Sequence, residues 1–211
     1  CRCVPEKINS SAILSVSAGS IPDYMDIAVY SGSFNPLHIG HLAIMKYLTG
    51  EGGFDRVYLI VSPKNPLKEG IDSASGQDRF DAAVQAVNRH FPKSGPVKVD
   101  DIELNMPAPH YTIRTLDTLR EREPDNRFTL TIGADNLADI RRWRDYQRIL
   151  KEYGVAVFPR RGYELEYIKE DLLLEDSAYR IHLLEAEMVD ISSTIIRNAL
   201  KEGQDMSQWL M

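Results

Sequence analysis

The sequence predicts an α/β protein built on one doubly wound, Rossmann-like parallel sheet. Three observations predict it. Short apolar runs alternate with segments of helical spacing from residue 27 to residue 201. The apolar runs are continuous rather than alternating, as expected for parallel strands covered by helices on both faces. A length of 211 residues supplies one sizeable core and is marginal for two.

The elements follow in order. Ile27-Ala28-Val29-Tyr30 reads as a buried strand that runs into the loop Ser31-Gly32-Ser33. From His41 to Leu48, Leu42, Met45 and Leu48 share a helical face, and Gly50, Gly52 and Gly53 end it. Val57–Val61 is the second strand. Ser62 to Gly76 is a polar loop holding Pro63 and Pro66. Asp78–His90 is helical through Phe80, Ala83, Val84 and Val87, and Val97–Leu104 reads as a strand. Thr112–Arg122 is helical, with Ile113, Leu116 and Leu119 aligned. Phe128–Ile132 is a strand closed by Gly133, and a helical stretch follows to Leu150. Val155–Phe158 and Ile181–Leu184 are the remaining strands. Thr194–Lys201 is the last helix, closed by Gly203.

Hydrophobic residues make up 43% and charged residues 27%, the balance of a globular protein. A net charge of −6 argues against a nucleic-acid binder, which needs a basic face. No apolar run approaches the roughly 20 residues that span a bilayer, so no membrane partner is expected. Cysteine occurs only at Cys1 and Cys3, which leaves no disulfide framework and fits a reducing cytoplasm. Residues 11–19 are mildly apolar and follow Arg2 and Lys7, as in a signal peptide. The reading preferred is different. The chain does not begin with Met, and Met25 stands directly before the first strand. Residues 1–24 are therefore expected to be upstream sequence outside the fold, and 25–211 the single domain.

Two stretches carry chemistry. In the first, Ser31-Gly32-Ser33-Phe34-Asn35-Pro36-Leu37-His38-Ile39-Gly40-His41, a strand runs through a glycine turn into a helix. Gly32 lets the backbone approach a ligand. The helix start offers free N–H groups and partial positive charge to a phosphate. His38 and His41 lie three apart, so both can face one anion. Histidine donates to phosphate oxygens and can be charged near neutral pH, so a pair would stabilise a phosphoryl transition state. In the second stretch, Ile191-Ser192-Ser193-Thr194-Ile195-Ile196-Arg197, three hydroxyls precede a helix and Arg197 follows one turn on. That is an N-cap and also a phosphate nest.

His38-Ile39-Gly40-His41 resembles the HxGH signature of the nucleotidyltransferase superfamily, which class I aminoacyl-tRNA synthetases share in a related form. Ile191–Arg197 resembles the ISSTxxR motif that nucleotidyltransferases use on the ATP phosphates, and the synthetases' KMSKS-type motif is missing. Three further stretches narrow the resemblance to the bacterial nicotinate-nucleotide adenylyltransferases, across residues 26–205. His110-Tyr111-Thr112-Ile113-Arg114-Thr115-Leu116 is similar to that family's SYTxxTL segment, with His110 where serine is usual. The resemblance gives Tyr111 and Thr112 the pyridine carboxylate. Ile132-Gly133-Ala134-Asp135 resembles the GxD segment and gives Asp135 the ribose. Trp143 falls where the family stacks tryptophan on the pyridine ring. Arg160-Arg161-Gly162-Tyr163 is similar to RPGY. The PPHK-like loop is reduced to Asn65-Pro66-Leu67-Lys68, so Lys68 alone could reach a phosphate there, and Arg79 fits the pattern as a structural residue.

The resemblance implies adenylyl transfer from ATP to nicotinate mononucleotide in NAD biosynthesis. His38 and His41 would be catalytic. Gly32, Ser33, Phe34, Asp135, Ile191, Ser192, Ser193, Thr194 and Arg197 would bind ATP with them. Lys68, Tyr111, Thr112 and Trp143 would hold the acceptor. Mg²⁺ would enter through the ATP phosphates, with no protein metal site. Other acceptors stay open, namely nicotinamide mononucleotide, phosphopantetheine, or an alcohol phosphate in cytidylyl transfer. So do a sensor without catalysis and an assembly of several copies. A dehydrogenase is disfavoured, because no G-x-G-x-x-G follows the first strand.

Overall fold

The computed structural model describes residues 24–63, 75–187 and 191–211. Strands β1 (Asp26–Gly32), β2 (Arg56–Val61), β3 (Val97–Asp100), β4 (Arg127–Gly133), β5 (Val155–Phe158) and β6 (Ile181–Leu183) form one sheet. Their order is β3-β2-β1-β4-β5-β6, and every pairing is parallel. This is the doubly wound order expected of a Rossmann-like fold, with the topological switch between β1 and β4. In register, Val29 of β1 lies between Tyr58 of β2 and Leu130 of β4.

The helices are α1 (Ile39–Thr49), α2 (Gly76–His90), α3 (Ile102–Asn105), α4 (Thr112–Arg122), α5 (Ala134–Ala138), α6 (Tyr146–Arg148), α7 (Leu165–Glu175) and α8 (Ser193–Lys201). Alternation along β1 sorts them. Ala28 and Tyr30 pack with Met45 and Leu48 of α1 and Ala83 and Val87 of α2. Ile27 and Val29 pack on the other face with Ile102 of α3, Leu116 and Leu119 of α4, and Leu137 of α5. The residues between β6 and the C-terminus make a third cluster from Ile191, Ile196, Ala199 and Met206. Beyond it, Leu210 bridges antiparallel to the His38 backbone, and Met211 is buried among the residues of α1 and α2.

Three expectations need correction. The strand expected over Val97–Leu104 ends at Asp100. There the Asp100 carboxylate accepts from the Ile102 amide at 3.1 Å, and the chain turns into α3. The helical stretch expected to Leu150 is broken. α5 gives way to a 3-10 turn over Ile140–Arg142, Asp145 adopts a left-handed φ of 51°, and α6 runs into a π turn over Ile149–Tyr153. Helix α7 is an addition to the expected elements. Only Leu172 of it is fully buried, while Tyr167 and Leu174 are exposed, so its apolar pattern is blurred. The expected tail lies outside the described residues as far as residue 23. Tyr24 is described, with the Arg127 guanidinium 4.1 Å from its ring, and the Met25 amide donates to Asn126. Among the described residues, no helix is long and apolar enough to cross a membrane.

Candidate active site

The site sits at the C-terminal end of β1. His38 is the N-cap of α1, and His41 is three residues inside it. The Gly40 amide donates to Nδ1 of His38 at 3.2 Å, and the His38 amide donates to Nδ1 of His41 at 3.2 Å. The two histidines thus form a reciprocal capping box. Because each Nδ1 is an acceptor, each neutral ring carries its proton on Nε2. The rings stack with centroids 3.7 Å apart. Gly40 makes this packing fit, since a Cβ there would lie 3.0 Å from the His38 ring and 3.3 Å from Ile191.

The histidines are not the cations the sequence allowed. Burial, then the Arg160 charge, pulls His38 from 6.5 down to about 4. Burial, then His38, then Arg160 pulls His41 well below its ordinary value. In the free protein both are neutral N–H donors.

Phe34 and Gly32 also differ from expectation. The positive φ of the loop falls on Phe34, at 45°, rather than on Gly32. The Phe34 ring is buried, edge-on to Tyr30 and His41 at 5.4 and 5.1 Å. A Cβ on Gly32 would meet that ring at 3.1 Å. Gly32 therefore admits the Phe34 ring beneath the loop, and Phe34 has only its backbone to offer a ligand.

Helix α8 brings the second stretch to the same place. The Ser193 hydroxyl donates to the Pro36 carbonyl at 3.0 Å. Arg197 donates to the Asn35 carbonyl at 2.7 Å and to the Thr194 hydroxyl at 3.0 Å. Ser192 caps the helix by accepting from the Ile195 amide at 3.2 Å. The hydroxyls read as direct phosphate ligands are thus already engaged, Ser193 in tying α8 to the loop before α1, while among the described residues the Ser193 and Thr194 amides have no partner. Ile191 is buried in the third cluster, so its side chain packs rather than binds.

Arg79 on α2 is 3% exposed and donates at 2.7 Å to each of the Ser33, Ser62 and Pro63 carbonyls. It ties the glycine loop to the end of β2, the structural role expected of it. A signal was present in the sequence: 79, 83 and 86 share a helical face, and the other two are buried alanines.

Across the sheet, α4 begins at the N-cap Tyr111 with no side-chain cap. Among the described residues, the Thr112 and Ile113 amides have no partner, and Tyr111 is exposed. His110 bonds the Met106 carbonyl at 3.0 Å, and Arg114 donates to the Pro107 and Pro109 carbonyls, which pins the preceding loop. Trp143 is half-buried against the core of this face. Asp135 lies in the first turn of α5, 3.8 Å from Arg160, and a Cβ on Gly133 would collide with its carboxylate. Arg160, in the stretch similar to RPGY, acts through its charge on both histidines. Lys68 lies outside the described residues.

A family model described as cytidylyltransferase-like matches residues 29–199. A Flavobacterium johnsoniae protein described as a probable nicotinate-nucleotide adenylyltransferase is 36% identical over 186 residues, 88% of this chain and 92% of that one. A Porphyromonas gingivalis protein of the same description is 39% identical, covering 86% and 87%. The chain belongs to the nicotinate-nucleotide adenylyltransferase family. A solved structure of Plasmodium falciparum nicotinic acid mononucleotide adenylyltransferase, complexed with NaAD, superposes on this member with a TM-score of 0.72. It is 18% identical and covers 89% of this chain and 91% of its own, which establishes a shared fold. The same adenylyltransferase complexed with APC gives a TM-score of 0.69 at 17% identity.

Proposed function

We propose that this chain transfers the adenylyl group of ATP to nicotinate mononucleotide, giving nicotinate adenine dinucleotide and pyrophosphate. One observation carries the reading. The N-termini of α1 and α8 meet at the end of β1, joined by Ser193 and Arg197, with two histidines whose protons sit on Nε2. Such a cluster of donors suits a polyphosphate.

A phosphate oxygen of the mononucleotide attacks the α-phosphorus of ATP. The bond from that phosphorus to the bridging oxygen breaks, and pyrophosphate leaves with the electron pair. No side-chain nucleophile is needed, so catalysis is positioning and charge stabilisation. His38 and His41 donate Nε2–H to the α- and β-phosphate oxygens. The open N–H groups of α8, with Thr194 and Arg197, take the β,γ end. Gly32 and Ser33 supply backbone beneath the phosphates, and Asp135 accepts from the nucleotide ribose. Among the described residues, no three His, Cys, Asp or Glu gather to hold a metal, and the donors around the cleft suit phosphate oxygens. Mg²⁺, when bound, would be held through the phosphates and water and would supply charge neutralisation to the leaving pyrophosphate.

The acceptor lies across β1. The open N-terminus of α4, with Tyr111 and Thr112, favours the nicotinate carboxylate over a neutral carboxamide. The half-buried Trp143 offers a face for the ring. With cysteine confined to Cys1 and Cys3, the cytoplasm is the setting this reading implies.

The test is pyrophosphate release and dinucleotide formation with ATP, Mg²⁺ and either nicotinate or nicotinamide mononucleotide, with His41→Ala as control. Histidine-dependent turnover that strongly prefers nicotinate is expected. Equal rates with both would refute the carboxylate site at α4. No product with either would refute the reaction.

A further inference from the structure

We infer that Glu103 is a positioning residue for the acceptor, acting through a hydrogen-bonded chain that makes Ser31 a pure acceptor facing the ribose of the mononucleotide. The inference rests on the proposed adenylyl transfer.

Glu103 is 4% exposed, on the short helix α3. Among the described residues, no lysine or arginine forms an ion pair with it. Instead it receives two hydroxyls. Thr115 donates to Oε1 at 2.8 Å, and Ser62 donates to Oε2 at 2.6 Å. Ser62 in turn lies 3.1 Å from the Ser31 hydroxyl. The direction of this last bond follows from counting protons. A serine hydroxyl has one, and that of Ser62 is spent on the carboxylate. Ser31 must therefore donate to Ser62, which leaves only its lone pairs for anything else.

The placement gives this polarity a use. Ile27 and Val29 lie on the α4 face of β1, and side chains alternate, so Ser31 lies on that face too. It is half-buried and stands next to Gly32, between the phosphate loop and the acceptor side. An acceptor-only hydroxyl there repels the carboxylate and phosphate of nicotinate mononucleotide. It takes a hydrogen bond from what remains, the ribose hydroxyls. The other arm of Glu103 holds Thr115, one turn inside α4 from Thr112. The same carboxylate thus sets the orientation of Ser31 and anchors the helix whose N-terminus meets the ring.

Ser62 also joins the two faces of the sheet. Its side chain serves Glu103, while its carbonyl takes a hydrogen bond from Arg79 on α2. The serine at the end of β2 therefore keeps the acceptor side in register with the phosphate loop.

The experiment is a double-mutant cycle on the full chain, with Glu103→Gln, Ser31→Ala and the pair. Melting temperature and KM for each substrate are measured. The glutamine amide donates where the carboxylate accepted, which can turn the Ser62 hydroxyl round. Loss of one oriented hydrogen bond raises the KM for nicotinate mononucleotide by about five- to thirtyfold in each single variant. The KM for ATP is expected to stay within about threefold. Because both changes remove the same bond, the pair should resemble either single variant rather than their product. Additive effects, or equal rises for both substrates, would overturn the inference and leave Glu103 a packing residue. Unchanged KM values would overturn it as well. Wild-type protein without turnover would instead sink the reaction assigned above, and this inference with it.

Discussion

Gly40→Ala separates the chemistry of the site from the stability of the fold. The added Cβ would stand 3.0 Å from Cε1 and Nδ1 of His38 and 3.3 Å from Cγ2 of Ile191. Ile191 is buried in its own cluster and has little room to retreat, so the His38 ring must move. A shift of a few tenths of an ångström stretches the 3.2 Å bond from the Gly40 amide to Nδ1 beyond hydrogen-bonding range. The lost cap costs about 1 kcal/mol. Replacing glycine by alanine in a helix returns about 0.5–1 kcal/mol. The sum is near zero, so the melting temperature should move by no more than about 3 °C. Catalysis has no such compensation. A displaced donor at the developing charge costs on the order of 10²-fold in kcat. Pyrophosphate release at saturating substrates, beside thermal melting, reads both quantities. Full activity in this variant would refute the role of His38 geometry. A fall in melting temperature beyond about 10 °C would show that the contact serves packing instead.

Two further predictions concern the same loop. The ring of His38 should titrate near 4 in the free protein, as histidine NMR can read, and the His41 ring should also titrate below the ordinary range. A depressed histidine adds stability that is complete above its unfolded value of 6.5 and is lost as pH falls toward the folded value. Relative to His38→Asn, which keeps a capping acceptor, wild type should lose on the order of 2–3 kcal/mol between pH 6.5 and 4 in denaturant titrations. A constant difference between the two proteins would contradict the neutral ring. For Arg79→Lys, an ammonium cannot reproduce the fork that meets three carbonyls at 2.7 Å. We expect about 2–4 kcal/mol of destabilisation by chemical denaturation. A loss below about 0.5 kcal/mol would show that water or other groups satisfy those carbonyls.

The strands and their parallel pairing were legible because continuous apolar runs bounded by glycine and proline have few other readings. Motif pairing was legible in a different sense. His38 and Arg197 are distant in sequence, and only their resemblance to known signatures suggested that they meet. The structure supplies the contact itself, from Arg197 to the Asn35 carbonyl. The hydrogen-bond directions were not legible. Ser193 reads in sequence as a phosphate ligand, but its hydroxyl is spent on Pro36. Gly32 reads as the flexible point of its turn, but it makes room for Phe34, which takes the positive φ. The protonation of the histidines depends first on burial and then on charges that include Arg160, which is distant in the chain. Glu103 and Arg79 carried a weaker signal, a charge at a position whose helical or strand neighbours are apolar.

Neutral histidines suit the proposed reaction better than cations would. An imidazolium held at the phosphates binds the ground state of ATP strongly, and binding that is equal in ground and transition states does nothing for kcat. A neutral Nε2–H gains strength as charge accumulates on the oxygens it faces, so its contribution falls mainly on the transition state. The fold enforces this in two ways. The capping box commits both Nδ1 atoms to backbone amides, which leaves no second site for a proton unless a cap is broken. Arg160 places its positive charge where it opposes protonation of either ring. An arginine beside the histidines thus has two effects of opposite appearance. It weakens them as bases in the free protein, and in the proposed reaction its charge would attract the polyphosphate while the rings donate, so that charge attraction and hydrogen-bond donation would be divided between different side chains.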